Sequence, residues 1–359
     1  MSLSFNDLFS NDNFQSGVFP KTRYQGSKYK LTTWIADSLS TLEFDTVLDA
    51  FSGTSSVAYM FKAMGKSVIA NDKMNFNYQI AKAFIENRSV TINEKDIDFV
   101  LKRDPAFSYK TFINDTFEGI YYLKDENLWL DIVTQNIHRV DNEYKRSLLF
   151  WALFQSCLSK RPYNLFHRNN LSVRTADVKR SFGNKATWDK PFDVHFLNFI
   201  KQANLAVFDN KKTNQAISND VANLISDDIK SDLVYFDPPY VPQKGSLTMY
   251  MDFYHFLEGL TIYDDWGTKI DFHSKNNTML KVKSPWEDRK LVSKEFFSCI
   301  EKFKDRKIAI SYREDGIPSI DDIVVFLRSI GKCVDVKHVD YKYALSKKTD
   351  VREVLIVGV

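Results

Sequence analysis

One stretch of nine residues, Asp232 to Tyr240, constrains this chain more than any other. Leu233 to Phe236 reads as a short buried strand, and it stops at an acid followed by two prolines. Proline lacks an amide donor and fixes φ, so Pro238 and Pro239 can neither continue the strand nor begin a helix interior. Asp237 and Tyr240 are therefore held on a stiff loop at the carboxyl end of a strand, the place where open α/β sheets bind ligands. Such a loop suits a planar amine. The Asp237 carboxylate and the Pro238 carbonyl can each accept a hydrogen bond, and the Tyr240 ring offers a face for stacking. Two fixed acceptors would draw the nitrogen out of conjugation and free its lone pair for attack. The alternative is a rigid surface turn, and the rest of the chain has to decide between them.

Upstream, Tyr24, Gln25, Gly26, Ser27 and Lys28 precede apolar residues at helical spacing, Leu31, Trp34, Ile35 and Leu39. A turn at a helix start can take an anion, but this one is too short for a nucleotide-hydrolase phosphate loop. Thr46 to Ala50 predicts a strand. Phe51 to Ser56 turns it into a helix, Val57 to Met64, and Ser67 to Ala70 predicts the next strand, stopping before Asp72. This β-α-β unit places an acid 19 residues after Gly53, where it can bond the hydroxyls of a ribose. The Gly-x-Gly-x-x-Gly fingerprint is missing, so the turn suits a nucleoside cofactor with a charged tail better than a pyrophosphate. An ordinary α/β unit is the competing reading.

Residues 76–158 predict mostly helix, with the clearest apolar faces over Asn127 to Arg139 and Tyr144 to Leu158. Between Ser159 and Lys190 eight Lys or Arg residues face two acids, giving +6 in 32 residues. Aromatics and asparagines are interleaved, so Lys160, Arg161, Arg168, Asn169, Arg174, Arg180 and Lys185 are candidate nucleic-acid contacts. A solvated face is the bland alternative, though the i,i+4 charge pairing typical of one is missing. Further on, Ile217 to Val221 fits a strand end and, compatibly, a helix capped by Asp220. Tyr250 to Glu258 either closes over a substrate or packs, and His255 reads as structural. A helix over Asp288 to Phe303, a strand over Lys307 to Ile310, a helix over Ile320 to Ile330 and strands near 334–339 and 353–357 complete the pattern.

Length and composition bound the answer. The 359 residues suggest two domains or one with a large insertion, and 44% hydrophobic residues allow a sizeable core. The formal charge of +3 makes no case for nucleic acid by itself. Three scattered cysteines, Cys157, Cys299 and Cys333, have no metal-ligand spacing and suit a reducing compartment. With no signal-peptide pattern and no membrane-length apolar run, a soluble cytoplasmic protein without a metal is expected.

Together these pieces resemble the S-adenosylmethionine-dependent DNA adenine-N6 methyltransferases, in particular their alpha group. In that group the cofactor motifs precede the target-recognition insertion, and the Asp-Pro-Pro-Tyr loop follows it. The resemblance runs from about residue 21 to the end. It implies a doubly wound, mostly parallel α/β sheet of the Rossmann-like methyltransferase kind, with a largely helical inserted recognition domain. The expected division is an N-terminal arm 1–20, catalytic segments 21–90 and 213–359, and the insertion 91–212. It also implies that Asp237, Pro238, Pro239 and Tyr240 are catalytic. Cofactor binding falls on Tyr24, Gly26 and Lys28, on Asp49, Phe51, Ser52, Gly53 and Thr54 beside the methionine part, on Asp72 at the ribose, and on Asp220 and Val221 at the adenine. The expected product is S-adenosylhomocysteine, the partner double-stranded DNA, and the setting restriction–modification with a cognate endonuclease. A target adenine would have to leave the duplex to reach Asp237. Lys28 is left between a DNA contact and a contact to the active-site carboxylates. One departure is a single glycine in the Phe51 to Ser55 loop where many relatives have two. The rival readings are a cytosine-N4 or RNA-adenine methyltransferase, and a non-catalytic DNA-binding module.

Overall fold

The computed structural model describes residues 17–20, 22–177, 185–244, 247, 249–340 and 352–359. Most of the expected N-terminal arm, and Arg180, lie outside the described residues. Strands β1 (Thr46–Asp49), β2 (Ser67–Asp72), β3 (Gln215–Ser218), β4 (Leu233–Phe236), β5 (Lys307–Arg313), β6 (Val334–Asp340) and β7 (Arg352–Gly358) form one sheet, in the order β3-β2-β1-β4-β5-β7-β6. β1 pairs in parallel with β2 and β4, and β3 and β5 extend the sheet in parallel on either side. β7 alone is reversed, antiparallel to both β5 and β6. The chain moves outward from β1 through β2 and β3, then returns to the other side of β1 as β4. The sheet order therefore switches direction between β1 and β4, and their carboxyl ends open on the crevice where such sheets hold ligands.

The sequence of β4 shows why it sits at the centre. All four residues are buried. Leu233 and Tyr235 join one apolar cluster and Val234 and Phe236 another, so the period of two feeds a core on each face. Covered on both sides, the strand reads as a continuous apolar run. The register sets Leu48 against Val234 and Asp49 against Tyr235, which brings the loop after β1 beside the loop that begins at Asp237.

Helices occupy most of the chain between β2 and β3. Asn142 caps the longest, Glu143–Ser159, by accepting the Tyr144 and Lys145 amides. That helix is apolar nearly all round and is buried as such a helix must be. Its Trp151 meets Phe84 edge-on and its Phe154 meets Phe76, joining the inserted helices to the same cluster that covers one sheet face. The insertion therefore shares a core with the sheet.

Several boundaries differ from expectation, two of them with a clear local cause. The helix expected from Asp288 begins only at Val292, because the Asp288 carboxylate accepts the Lys290 amide in a side-chain turn that competes with helix. β5 runs past Ile310 to Arg313, because β7 supplies partners as far as Glu353.

Candidate active site

The first turn of the loop after β4 is tied down by charge. Lys28 sits in the short helical turn Lys28–Leu31, and its Nζ donates to Asp237 Oδ1 at 2.8 Å. The Tyr240 hydroxyl donates to the same Oδ1, also at 2.8 Å, and lies 3.5 Å from Glu353 Oε2. Lys28 Nζ is 4.0 Å from Glu353 Oε1 and 4.8 Å from the centre of the Tyr240 ring. Lys28 thus contacts the Asp237 and Glu353 carboxylates. Burial opposes its charge, but Asp237 and Glu353 outweigh that cost and hold its pKa above the ordinary lysine value. Burial raises the Tyr240 phenol, and the nearby Asp237 charge raises it further.

A cavity of about 640 Å³ opens beside this cluster, within the range of small-molecule sites. Its wall includes every expected cofactor residue: Tyr24, Gly26, Lys28, Asp49, Phe51, Ser52, Gly53, Thr54, Asp72, Asp220 and Val221. Asp237 and Pro239 line the same cavity. Pro238 is buried, and Tyr240 stands behind Asp237. Asp72 ends β2 and accepts the Gly53 amide on Oδ2 and the Met74 amide on Oδ1, both at 2.9 Å. Burial raises its pKa while those amides pull it down. At the end of β1, burial and then the charges of Asp237 and Asp72 raise Asp49, whose Oδ1 has no hydrogen-bond partner. Asp220 pairs with Lys73 at 2.8 Å and caps the Val221–Asn223 turn by accepting the Ala222 amide. Both readings of that segment hold, since β3 ends just before it.

The loop carries the departure noted in its sequence. Gly53 takes φ +48, and Ser55 takes φ +59, a left-handed conformation that costs a side-chain-bearing residue about 1–2 kcal/mol. A serine therefore supplies the second turn that a glycine would make without strain. Gly26 is restricted more severely. At φ +86, a Cβ there would lie 2.5 Å from the Tyr250 hydroxyl.

Three of the expected DNA contacts are internal. Lys160 is 2% exposed and pairs with Glu126 at 2.8 Å. Arg174 makes two bonds to the same carboxylate, at 2.9 and 2.7 Å. Arg161 is 1% exposed; it donates to the Leu165 and Arg168 carbonyls and lies over the Tyr121 ring. Buried and bonded within the insertion, although Arg161 Nη1 and Arg174 Nε have no hydrogen-bond partner, these three side chains do not stand on the surface with the other expected contacts. Arg168, Asn169 and Lys185 are exposed.

Several site residues were not anticipated. Glu353 is 1% exposed although it is only the second residue of the last strand. Tyr24 stacks against both Tyr250 and Tyr254, with ring centres 5.8 and 4.5 Å apart. Glu258 accepts the amides of Asn75 and Phe76, both at 3.0 Å, and so fixes the helix that follows Asp72. Trp286 meets Phe51 edge-on at 5.0 Å on the cavity wall. An aromatic run over 250–254 was a visible signal; the roles of Glu258 and Glu353 had none beyond an acid among apolar neighbours. Among the described residues no group of His, Cys, Asp and Glu could hold a metal ion, and no helix is long and apolar enough to cross a membrane.

The family model for the D12 class N6 adenine-specific DNA methyltransferases matches residues 24–309. The chain is 29% identical over 336 residues to the Type II methyltransferase M2.HphI of Haemophilus parahaemolyticus, covering 92% of this chain and 94% of that protein. It is 28% identical over 370 residues to the modification methylase StsI of Streptococcus sanguinis, with 93% and 51% covered. The Type II methyltransferase M.FokI of Planomicrobium okeanokoites is 25% identical over 328 residues, with 86% and 47% covered. The chain thus spans nearly all of the first relative and about half of the other two.

Proposed function

The chain belongs to the D12 class of N6 adenine-specific DNA methyltransferases, and on that premise we propose how its own residues divide the work. The observation that carries the reading is that Asp237 lines the same cavity as Asp49, Asp72 and Asp220. The family implies S-adenosylmethionine as methyl donor, and the wall fits it. The unpartnered, buried Asp49 Oδ1 suits the ammonium of the methionine part. Asp72 keeps lone pairs for ribose hydroxyls after accepting its two amides. Phe51, Val221 and Trp286 give an apolar seat for the adenine ring. When bound, the cofactor supplies an electrophilic methyl group on a sulfonium.

The target adenine must leave the stack for its amino group to reach Asp237. Both of the carboxylate's hydrogen bonds fall on Oδ1, which leaves Oδ2 to accept from N6. The Pro238 carbonyl is the second acceptor and the Tyr240 ring the stacking face. Lys28 holds the Asp237 carboxylate in place, so positioning and electrostatics carry the catalysis. The helices of residues 91–212 form the recognition part, and the exposed Arg168, Asn169 and Lys185 are the candidate contacts to double-stranded DNA. A site-specific role in restriction–modification, beside a cognate endonuclease in the cytoplasm, is consistent with the names of the relatives.

The test is incubation with labelled S-adenosylmethionine and mixed-sequence double-stranded DNA, followed by digestion to nucleosides. N6-methyladenosine in the deoxy series is expected. Label on cytosine N4, or on RNA alone, would overturn the reading.

A further inference from the structure

Glu353 and Asp237 stand on opposite sides of one hydroxyl. Tyr240 Oη donates to Asp237 Oδ1 at 2.8 Å and approaches Glu353 Oε2 at 3.5 Å. Glu353 is a full carboxyl group sealed from solvent, and its Oε1 accepts no hydrogen bond. A buried acceptor left unsatisfied is costly and calls for a role. The reversed direction of β7 brings it here, since the start of an antiparallel strand lies at the edge where the parallel strands end.

We propose that Glu353 is a positioning residue that takes up, through the Tyr240 hydroxyl, the proton released when N6 is methylated. The inference rests on the reading of Asp237 as the acceptor of the adenine amino group. The balance is as follows. The N6 lone pair forms the nitrogen–carbon bond as the methyl–sulfur bond breaks, and N6 becomes a cation with two hydrogens. One proton passes to the Asp237 carboxylate, and its electron pair returns to nitrogen. The Asp237 carboxyl group then turns so that its protonated Oδ2 faces Tyr240 Oη, and it hands that proton over as the phenolic proton moves to Glu353 Oε2. Asp237 ends ionised and still paired with Lys28, while Glu353 ends neutral. The step needs no free phenolate, so the raised Tyr240 pKa does not obstruct it.

The charges around Glu353 suit an acceptor that takes up and releases a proton near neutral pH. Burial pushes its carboxyl up; Lys28 pulls it down, Asp237 pushes it up again, and Arg313 on β5 together with the Tyr240 hydrogen bond pulls it down, leaving it at about 7. Tyr250 faces the same cluster with its own pKa raised, first by burial and then by Asp237. Arg313 is already engaged by Asp315 at 2.9 and 2.7 Å, so it acts on Glu353 at a distance.

The experiment is single-turnover methyl transfer across pH 5.5 to 9 with the full chain, cofactor and duplex DNA. It compares the parent with Glu353→Gln, Glu353→Asp and Tyr240→Phe, and with Asp237→Asn in parallel. The parent rate should rise with pH through about 7 and level off. Glu353→Gln and Tyr240→Phe should each lose that inflection and fall about tenfold or more at pH 8, below the usual span for general acid–base groups because the relay is indirect. Glu353→Asp should restore the inflection in part. Cofactor affinity by calorimetry should stay unchanged in all of them. A parental pH profile in Glu353→Gln overturns the inference, and if that variant does not fold, a parental profile in Tyr240→Phe does so. Full activity in Asp237→Asn would instead overturn the underlying reading of the site.

Discussion

Lys28 Nζ and Asp237 Oδ1 lie 2.8 Å apart, with side chains 4% and 16% exposed, although 209 residues of chain separate them. A charge pair so far from solvent gains little net stability over an apolar pair, but removing one partner strands the other. Lys28→Met should therefore destabilise the protein by about 3–5 kcal/mol, read from urea unfolding. Without the cation, Asp237 and Glu353 face each other, and like charges resist joint ionisation. Methyl transfer by the folded variant should shift to higher pH. Stability equal to the parent's would show the pair to be idle.

Asp237 itself should matter for chemistry far more than for binding, because its bond to N6 strengthens as that nitrogen gains positive charge. Asp237→Ala should lose methyl transfer by several orders of magnitude while cofactor and DNA still bind. A fluorescent adenine analogue at the target position would report flipping separately from transfer. Parental single-turnover rates would return the loop to the status of a structural turn.

Asp72→Ala should weaken S-adenosylmethionine binding by about 1–3 kcal/mol, the range for hydrogen bonds to a charged group. The same change frees the Gly53 and Met74 amides, so loop order and affinity should fall together. Calorimetric titration with unchanged affinity would remove Asp72 from the ribose position.

The basic stretch should separate into two kinds of residue. Arg168→Ala and Lys185→Ala should lower DNA affinity and flatten its salt dependence by about one unit each if the contact is to phosphate, with unfolding unchanged. Arg174→Ala should instead lower stability by about 3 kcal/mol, since part-buried Glu126 is left with Lys160 as its one cation and the Leu123 amide. Salt titrations alongside thermal melts distinguish the two. Equal effects on both measurements for all three would contradict the division.

Glu353 should also mark the pH dependence of folding. Its pKa is raised from an ordinary 4.5 to about 7, so the folded protein holds a proton that the unfolded chain has released. The associated stability is complete below about pH 4.5 and is lost as pH rises through about 7. Glu353→Gln should abolish that decline, worth at most about 3 kcal/mol. Urea midpoints at pH 5.5 and 8 that differ equally in parent and variant would assign the decline elsewhere.

Residues whose partners are near in sequence, or whose backbone chemistry is distinctive, were legible. Two prolines fixed the end of β4, and the unbroken apolar run of Leu233 to Phe236 made it central. The turn at Gly53 and the acid at Asp72 announced each other because a single β-α-β unit joins them. Glu353 was invisible for the opposite reason. Its proximity to Asp237 depends on a reversed strand 116 residues later, and an acid opening a strand looks like any solvated end. The basic stretch misled for a related reason. Composition counts charge, but Glu126, more than thirty residues earlier, turns two of those cations inward.

The interlocking of Trp151 with Phe84 and of Phe154 with Phe76 bears on how new target preferences could arise in this lineage. A recognition unit with its own core can be exchanged between proteins like a cartridge. Here, transplanting the helices of residues 91–212 would strip Trp151 and Phe154 from Phe84 and Phe76 and uncover the helical segment, residues 75–86, that lies against the strands. Altered target choice is therefore expected to come by piecemeal substitution on exposed loops such as the one bearing Arg168 and Asn169, while the buried aromatic joint stays fixed.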